Sequence, residues 1–193
     1  MFSSSSPAPA PPLGSPLDPQ VYAAGREKAL QIAKEQGFPE GALVELPVQW
    51  GDLDANVHVN NVVYFKWLES GRLAHVHHLT RALPKDIAAD LQGSGKGKGL
   101  ILARLTFDYR LPTFYPDSVM VMHRPVEYTT KKMVLETAVY SFAQQTFVGL
   151  GTAIMVAYDY DLGRSGELPQ AVLDELEALG AKKVESGKGR AKL

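Results

Sequence analysis

Residues 61–79 read NVVYFKWLESGRLAHVHHL, and this stretch decides the fold. At about 1.5 Å per residue it makes a helix about 28 Å long. Val62, Val63, Tyr64, Phe65, Trp67 and Leu68 surround its first half. A helix apolar nearly all round is expected to be buried on most sides. Gly71 sits in its middle and costs helix stability, which points to a close backbone approach there.

Four strand patterns follow, over 99–111, 118–128, 132–143 and 146–159, all rich in β-branched and aromatic residues. The short links between them predict antiparallel meander pairing. A fifth alternating stretch, 43–50, precedes the long helix. One long apolar helix and a run of antiparallel strands form a two-layer α+β solution, with the sheet curled around the helix. The first helix is expected over 18–37, where Asp18-Pro19 offers a cap and a first-turn proline. A last helix is expected over 168–179, and 84–99 is read as leading into a flexible GSGKGKG loop.

The pattern divides the chain into an arm (1–17), one domain (18–180) and a basic tail (181–193) ending in Ala-Lys-Leu. The arm holds five Ser, five Pro and no charged side chain, a composition that favours disorder. It lacks the arginines of a mitochondrial presequence. The chain has 193 residues, a net charge of −1 and no cysteine. This excludes disulfides and thiolate chemistry and leaves nucleic-acid binding without an overall charge to drive it. No apolar run is long enough for a membrane span.

The chemistry concentrates just before the long helix. Residues 50–70 read WGDLDANVHVNNVVYFKWLES, with two Asp, three Asn, one His and one Glu against a buried element. Asn60 or Asn61 is a natural N-cap. The free N–H groups of the first turn can then stabilise an anion or a carbonyl gaining negative charge. A carboxylate and an imidazole facing such donors suit acyl transfer. The residue types alone leave a second reading equally open, in which Asp52 and Asp54 shape a turn, Asn60 caps and His58 packs.

The string D-L-D-A-N-V-H-V-N-N-V-V-Y…W-L-E-S resembles the plant acyl-ACP thioesterase signature, D-L-D-x-N-x-H-V-N-N-x-x-Y…W-x-L-E-S. Its Asp-x-Asp…Tyr…Glu frame is similar to the 4-hydroxybenzoyl-CoA thioesterase-like group. Both groups have the hotdog fold, a long helix wrapped by a curved antiparallel sheet of about five strands. The resemblance implies an acyl-CoA thioesterase, with fatty acyl-CoA as the expected substrate. It assigns Asp54 as the catalytic carboxylate, Asn56 and His58 as its partners, and the Asn61 backbone N–H as the oxyanion donor. Asp52, Tyr64, Trp67, Leu68 and Glu69 are assigned to the substrate pocket or to support of the site. Glu69 lies one residue nearer its Trp than in the plant signature, which weakens that match. The plant enzymes carry two hotdog repeats and this chain one, so a homodimer or homotetramer is implied. No cofactor is implied, CoA being part of the substrate, and no metal.

Two other functions compete. A hotdog enoyl-CoA hydratase resembles Asp-x-Asn-Pro-x-His, but here His58 follows Asp54 by four residues and Val57 stands where Pro is expected. A non-catalytic acyl-CoA-binding protein is the second, against which stands the intact Asp/Asn/His set. Lys96, Lys98, Arg124, Lys131 and Lys132 are possible partners for the CoA phosphates. His75, His77 and His78 suit the C-terminal end of a helix dipole better than a metal. Ala191-Lys192-Leu193 resembles the peroxisomal signal Ser-Lys-Leu. It implies an import receptor as partner and a peroxisomal rather than cytoplasmic location.

Overall fold

The computed structural model describes residues 17–93 and 95–185. The arm up to residue 16 and the Ala-Lys-Leu end lie outside the described residues. Helix α1 (Pro19–Glu35) starts at the Asp18 cap, whose carboxylate accepts the N–H groups of Gln20 and Val21 at 2.9 and 3.2 Å. Strand β1 (Val44–Pro47) is shorter than the 43–50 pattern. Beyond Pro47 the chain turns, and residues Trp50–Asp52 form a 3₁₀ turn fastened by a 2.8 Å bond from the Gln49 N–H to the Asp52 carboxylate. Helix α2 (Asn61–Thr80) is the long central helix, and α3 (Lys85–Leu91) is a short helix just before the GSGKGKG loop, where the sequence pattern predicts no element. Strands β2 (Lys98–Tyr109), β3 (Ser118–Tyr128), β4 (Lys132–Ser141) and β5 (Thr146–Asp159) follow. The chain closes with β6 (Arg164–Ser165), α4 (Gln170–Ala178) and β7 (Lys182–Lys183).

The strand order β1-β3-β4-β5-β2 makes one antiparallel sheet, with the two-residue strands β6 on β5 and β7, parallel, on β3. This is the expected α+β hotdog architecture. The meander holds for β3, β4 and β5 but not for β2, which pairs with β5 at the far edge. Residues 112–117 do not turn back as a hairpin. Six extended residues reach about 20 Å, enough to cross three strand spacings of about 4.8 Å. The link is also held from the other side, by the Val59 N–H on the Thr113 carbonyl and the Val48 N–H on the Asp117 carbonyl.

The two faces of β3 show how the layers divide. Val119 and Val121 pack with Trp67 and Leu68 of α2, whereas Met120 and Met122 pack with Tyr22 and Ala29 of α1. Helix α2 thus lies inside the curl and α1 covers the outside. Gly71 provides the close approach expected of it. A Cβ there would lie 2.7 Å from the His123 imidazole and from a Val121 methyl. The expected burial of α2 on most sides holds for one face alone: Val62 is 53% exposed, Phe65 41% and Leu73 52%. The curled sheet covers a single side of the cylinder.

Candidate active site

The loop between the 3₁₀ turn and α2 is a tight excursion. Leu53 and Val59 form an isolated antiparallel bridge, and the Asp54 N–H donates to the His58 carbonyl at 3.0 Å. Val57 takes φ = 62° to complete the turn, an unusual conformation for a β-branched residue. The Asp54 carboxylate accepts the Asn56 backbone N–H at 2.7 Å. His58 Nδ1 lies 3.9 Å from the same oxygen. Both side chains are partly exposed, at 24% for Asp54 and 38% for His58.

Asn60 is the cap of α2. Its side chain accepts the Val62 N–H and its carbonyl the Val63 N–H. The cap leaves out the Asn61 N–H, which as a first-turn donor has no helical carbonyl to bond. Asp54, His58 and Asn61 share the wall of one cavity of about 340 Å³ with Val59, Tyr64, Tyr109 and Pro112. A larger groove, about 810 Å³, runs between α1 and the end of α4, but its lining contains no histidine and no residue of the Asp54 cavity.

The other anticipated residues are placed differently. Asp52 faces the 3₁₀ turn as a cap and does not line the cavity. The Asn56 contact to Asp54 is made by its main chain. Tyr64 lines the cavity, with Trp67 ring-to-ring behind it at 5.1 Å. Leu68 is fully buried in the core, and Glu69 is exposed on the outer face of α2. Arg124 pairs with Glu136 and donates to the Gln36 carbonyl below α1. Lys98 and Lys131 line a separate cavity with Arg164.

Residues 109–113 are part of the site that the sequence pattern did not disclose. Thr113 is fully buried and accepts the Tyr64 hydroxyl at 2.9 Å, while its carbonyl holds the Val59 N–H. The Tyr109 hydroxyl donates to the Asn61 carbonyl at 3.2 Å. The sequence pattern ends a strand at Leu111 and starts a link at Pro112, and neither carries a chemical signal. Burial raises the Tyr64 and Tyr109 hydroxyls above the ordinary tyrosine value, so both stay protonated donors at neutral pH.

The family model for the thioesterase-like superfamily matches residues 48–176, two thirds of the chain and all of this site. The chain belongs to the thioesterase-like superfamily. No curated protein matches it. Among solved structures, this thioesterase-like chain is similar to a Thermus thermophilus thioesterase complexed with coenzyme A and zinc. That protein is 26% identical, over 73% of this chain and 96% of the other, with a TM-score of 0.56. The PA2801 protein of Pseudomonas aeruginosa is 27% identical over 68% and 95% of the two chains, at a TM-score of 0.56. A DHNA-CoA thioesterase of Staphylococcus aureus, 16% identical over 71% and 91%, shares the fold at a TM-score of 0.58. The thioesterase-like chain is therefore a thioester hydrolase of the hotdog fold. Among its described residues no group of three or more His, Cys, Asp or Glu is arranged to hold a metal ion, and no helix is long and apolar enough to cross a membrane.

Proposed function

We propose that the protein hydrolyses acyl-CoA thioesters, fatty acyl-CoA among them, at Asp54. The observation that carries this is the meeting of three residues in one cavity wall: Asp54, His58 and Asn61, the first residue of α2. A thioester carbonyl directed at the start of α2 gains an N–H donor just where its oxygen becomes negative. Asp54 then attacks the carbonyl carbon, or takes a proton from a water that does so, with His58 close enough to assist. Either route ends in the same net reaction: the C–S bond breaks and one water is consumed to give acid and thiol, the water of the first route hydrolysing the anhydride and freeing Asp54. The Asn56 N–H on the carboxylate orients it.

The test is Asp54→Asn, read by thiol release from acyl-CoA. Turnover is expected to fall by more than about a hundredfold, with the circular dichroism spectrum and thermal midpoint unchanged. Near-normal turnover would overturn the assignment. Crotonyl-CoA separates this reading from a hydratase, since hydration would consume the double bond without releasing thiol.

A homodimer formed along β2 is part of the same proposal. Among the described residues this strand leaves one long edge unpaired, and its exposed residues include Leu102 and Tyr109. Such an edge is ordinarily blunted or covered. The exposed Val62, Phe65 and Leu73 add a second apolar surface suited to a self-complementary contact. Sedimentation should give twice the chain mass, and Leu102→Lys should shift it toward the monomer. The Ala-Lys-Leu end supports delivery to peroxisomes, where acyl-CoA is abundant. A fluorescent fusion lacking Leu193 should remain outside them, and peroxisomal accumulation of that truncated fusion would remove the proposal.

A further inference from the structure

Below the Asp54 cavity, four rings fill the space between α2 and β2. Tyr64 lies 5.1 Å from Trp67, 5.7 Å from Phe107 and 5.1 Å from Tyr109, centroid to centroid, and Phe107 lies 5.1 Å from Tyr109. Rings at these separations are in direct contact. We propose that this cluster is the ruler for the acyl group and restricts the enzyme to short acyl chains, about butyryl to hexanoyl in length. The inference rests on the thioesterase reading and narrows it to one substrate class.

The cluster is fixed on each side. The Tyr64 hydroxyl is bonded to buried Thr113, and the Tyr109 hydroxyl to the Asn61 carbonyl at the head of α2. The Phe107 ring lies across the backbone of Gly149, where a Cβ would come within 2.3 Å of its Cζ. Only glycine at 149 lets the ring occupy that position. Tyr64 is three residues along the helix from Asn61, or about 4.5 Å. An acyl chain whose carbonyl faces the Asn61 N–H therefore meets the Tyr64 ring after a few carbons.

Beyond that ring lies the packed core. Trp67 and Phe107 back Tyr64, and behind them stand the core residues Leu68, Val119, Val121 and Val148. The cavity, at about 340 Å³, lies at the small end of ligand pockets, which run from about 300 to 1,000 Å³. It must also admit the thiol end of the carrier. Pairing of two copies along β2 would cover Tyr109 without parting rings that already touch.

The test compares acetyl-, butyryl-, hexanoyl-, octanoyl- and palmitoyl-CoA as substrates for the full chain and for Phe107→Ala and Phe107→Leu. The native protein should favour butyryl- over octanoyl-CoA in kcat/KM by at least about tenfold, the scale of a misfit of a few methylenes. Phe107→Ala should raise the octanoyl-to-butyryl ratio by roughly tenfold. Phe107→Leu should move it the same way by less, and stands in for the alanine variant should that fail to fold. A native protein equally fast on palmitoyl- and butyryl-CoA would overturn the ruler, as would an unchanged ratio in the variants.

S-alkyl-CoA thioethers of the same lengths, which cannot be hydrolysed, separate this proposal from the one beneath it. Absence of all hydrolysis would sink the thioesterase reading, and the ruler would then stand or fall on thioether binding. Butyl-CoA bound more tightly than octyl-CoA supports it, and equal binding overturns it.

Discussion

At the scale of single residues the site depends on a few main-chain and hydroxyl contacts. Asp54 owes its position to two N–H groups: its own, bonded to the His58 carbonyl, and that of Asn56, bonded to its carboxylate. Thr113 works from the opposite side, receiving Tyr64 through its hydroxyl and Val59 through its carbonyl. Thr113→Val strands a buried tyrosine hydroxyl, which costs about 1–3 kcal/mol. Tyr64→Phe in the same chain removes the stranded group and should recover most of that loss. Urea unfolding of both single variants and the double variant measures the coupling. Additive losses would show that the hydroxyls do not act together.

At the scale of elements, α2 and the sheet approach as closely as Gly71 allows. His123 and Val121 occupy the space a side chain would need. Gly71→Ala gains about 1 kcal/mol of helix propensity but overpacks the contact by about 1–3 kcal/mol. Because the clash involves two fully buried side chains with little room to shift, the overpacking should win and the urea midpoint should fall. A raised midpoint would mean that the helix moves off the sheet at little cost. The elements also differ in how plainly they could be read. Alternation and apolar crowding marked α2, β3, β4 and β5 because each has a buried face with its own period. Helix α3 escaped because its seven residues bury Leu91 alone and are too few to display a helical period.

At the scale of the whole molecule, folding buries a group of titratable side chains away from the site. His75 and His123 are fully buried between α2 and β3, close to Arg72. Burial, then the neighbouring His78, lowers the His75 pKa to about 4; burial, then His75 and Arg72, lowers that of His123 to about 3. In the unfolded chain both titrate near the ordinary value of 6.5. Between these values the unfolded state binds more protons, so acid favours it. The stability due to neutral imidazoles is complete above about pH 6.5, falls as pH drops through that value, and stops falling from this source near about pH 3. His123→Leu should therefore reduce the slope of stability against pH by about 1.4 kcal/mol per unit, from about pH 6 to about pH 5. Urea titrations across that range measure it, and an unaltered slope would show that His123 is already charged in the folded protein.

The sequence by itself determined the two-layer fold, the long helix, a cap at Asn60 or Asn61 and the loop that carries Asp54 and His58. These are local matters: periodicity, capping and turn chemistry act over a few residues, and a dense polar motif against an apolar helix shows in one dimension. The tertiary structure alone decided which strand neighbours which, since a short link can cross the end of a curled sheet as readily as it can turn back. It alone brought Tyr109 and Thr113, some fifty residues from the motif, against the start of α2. It also decided that Val62 and Phe65 face outward while Tyr64 faces in. Apolar residues on every side of a helix do not say which side the sheet will cover, and the position of the sheet sets both the site's floor and the apolar surface left exposed.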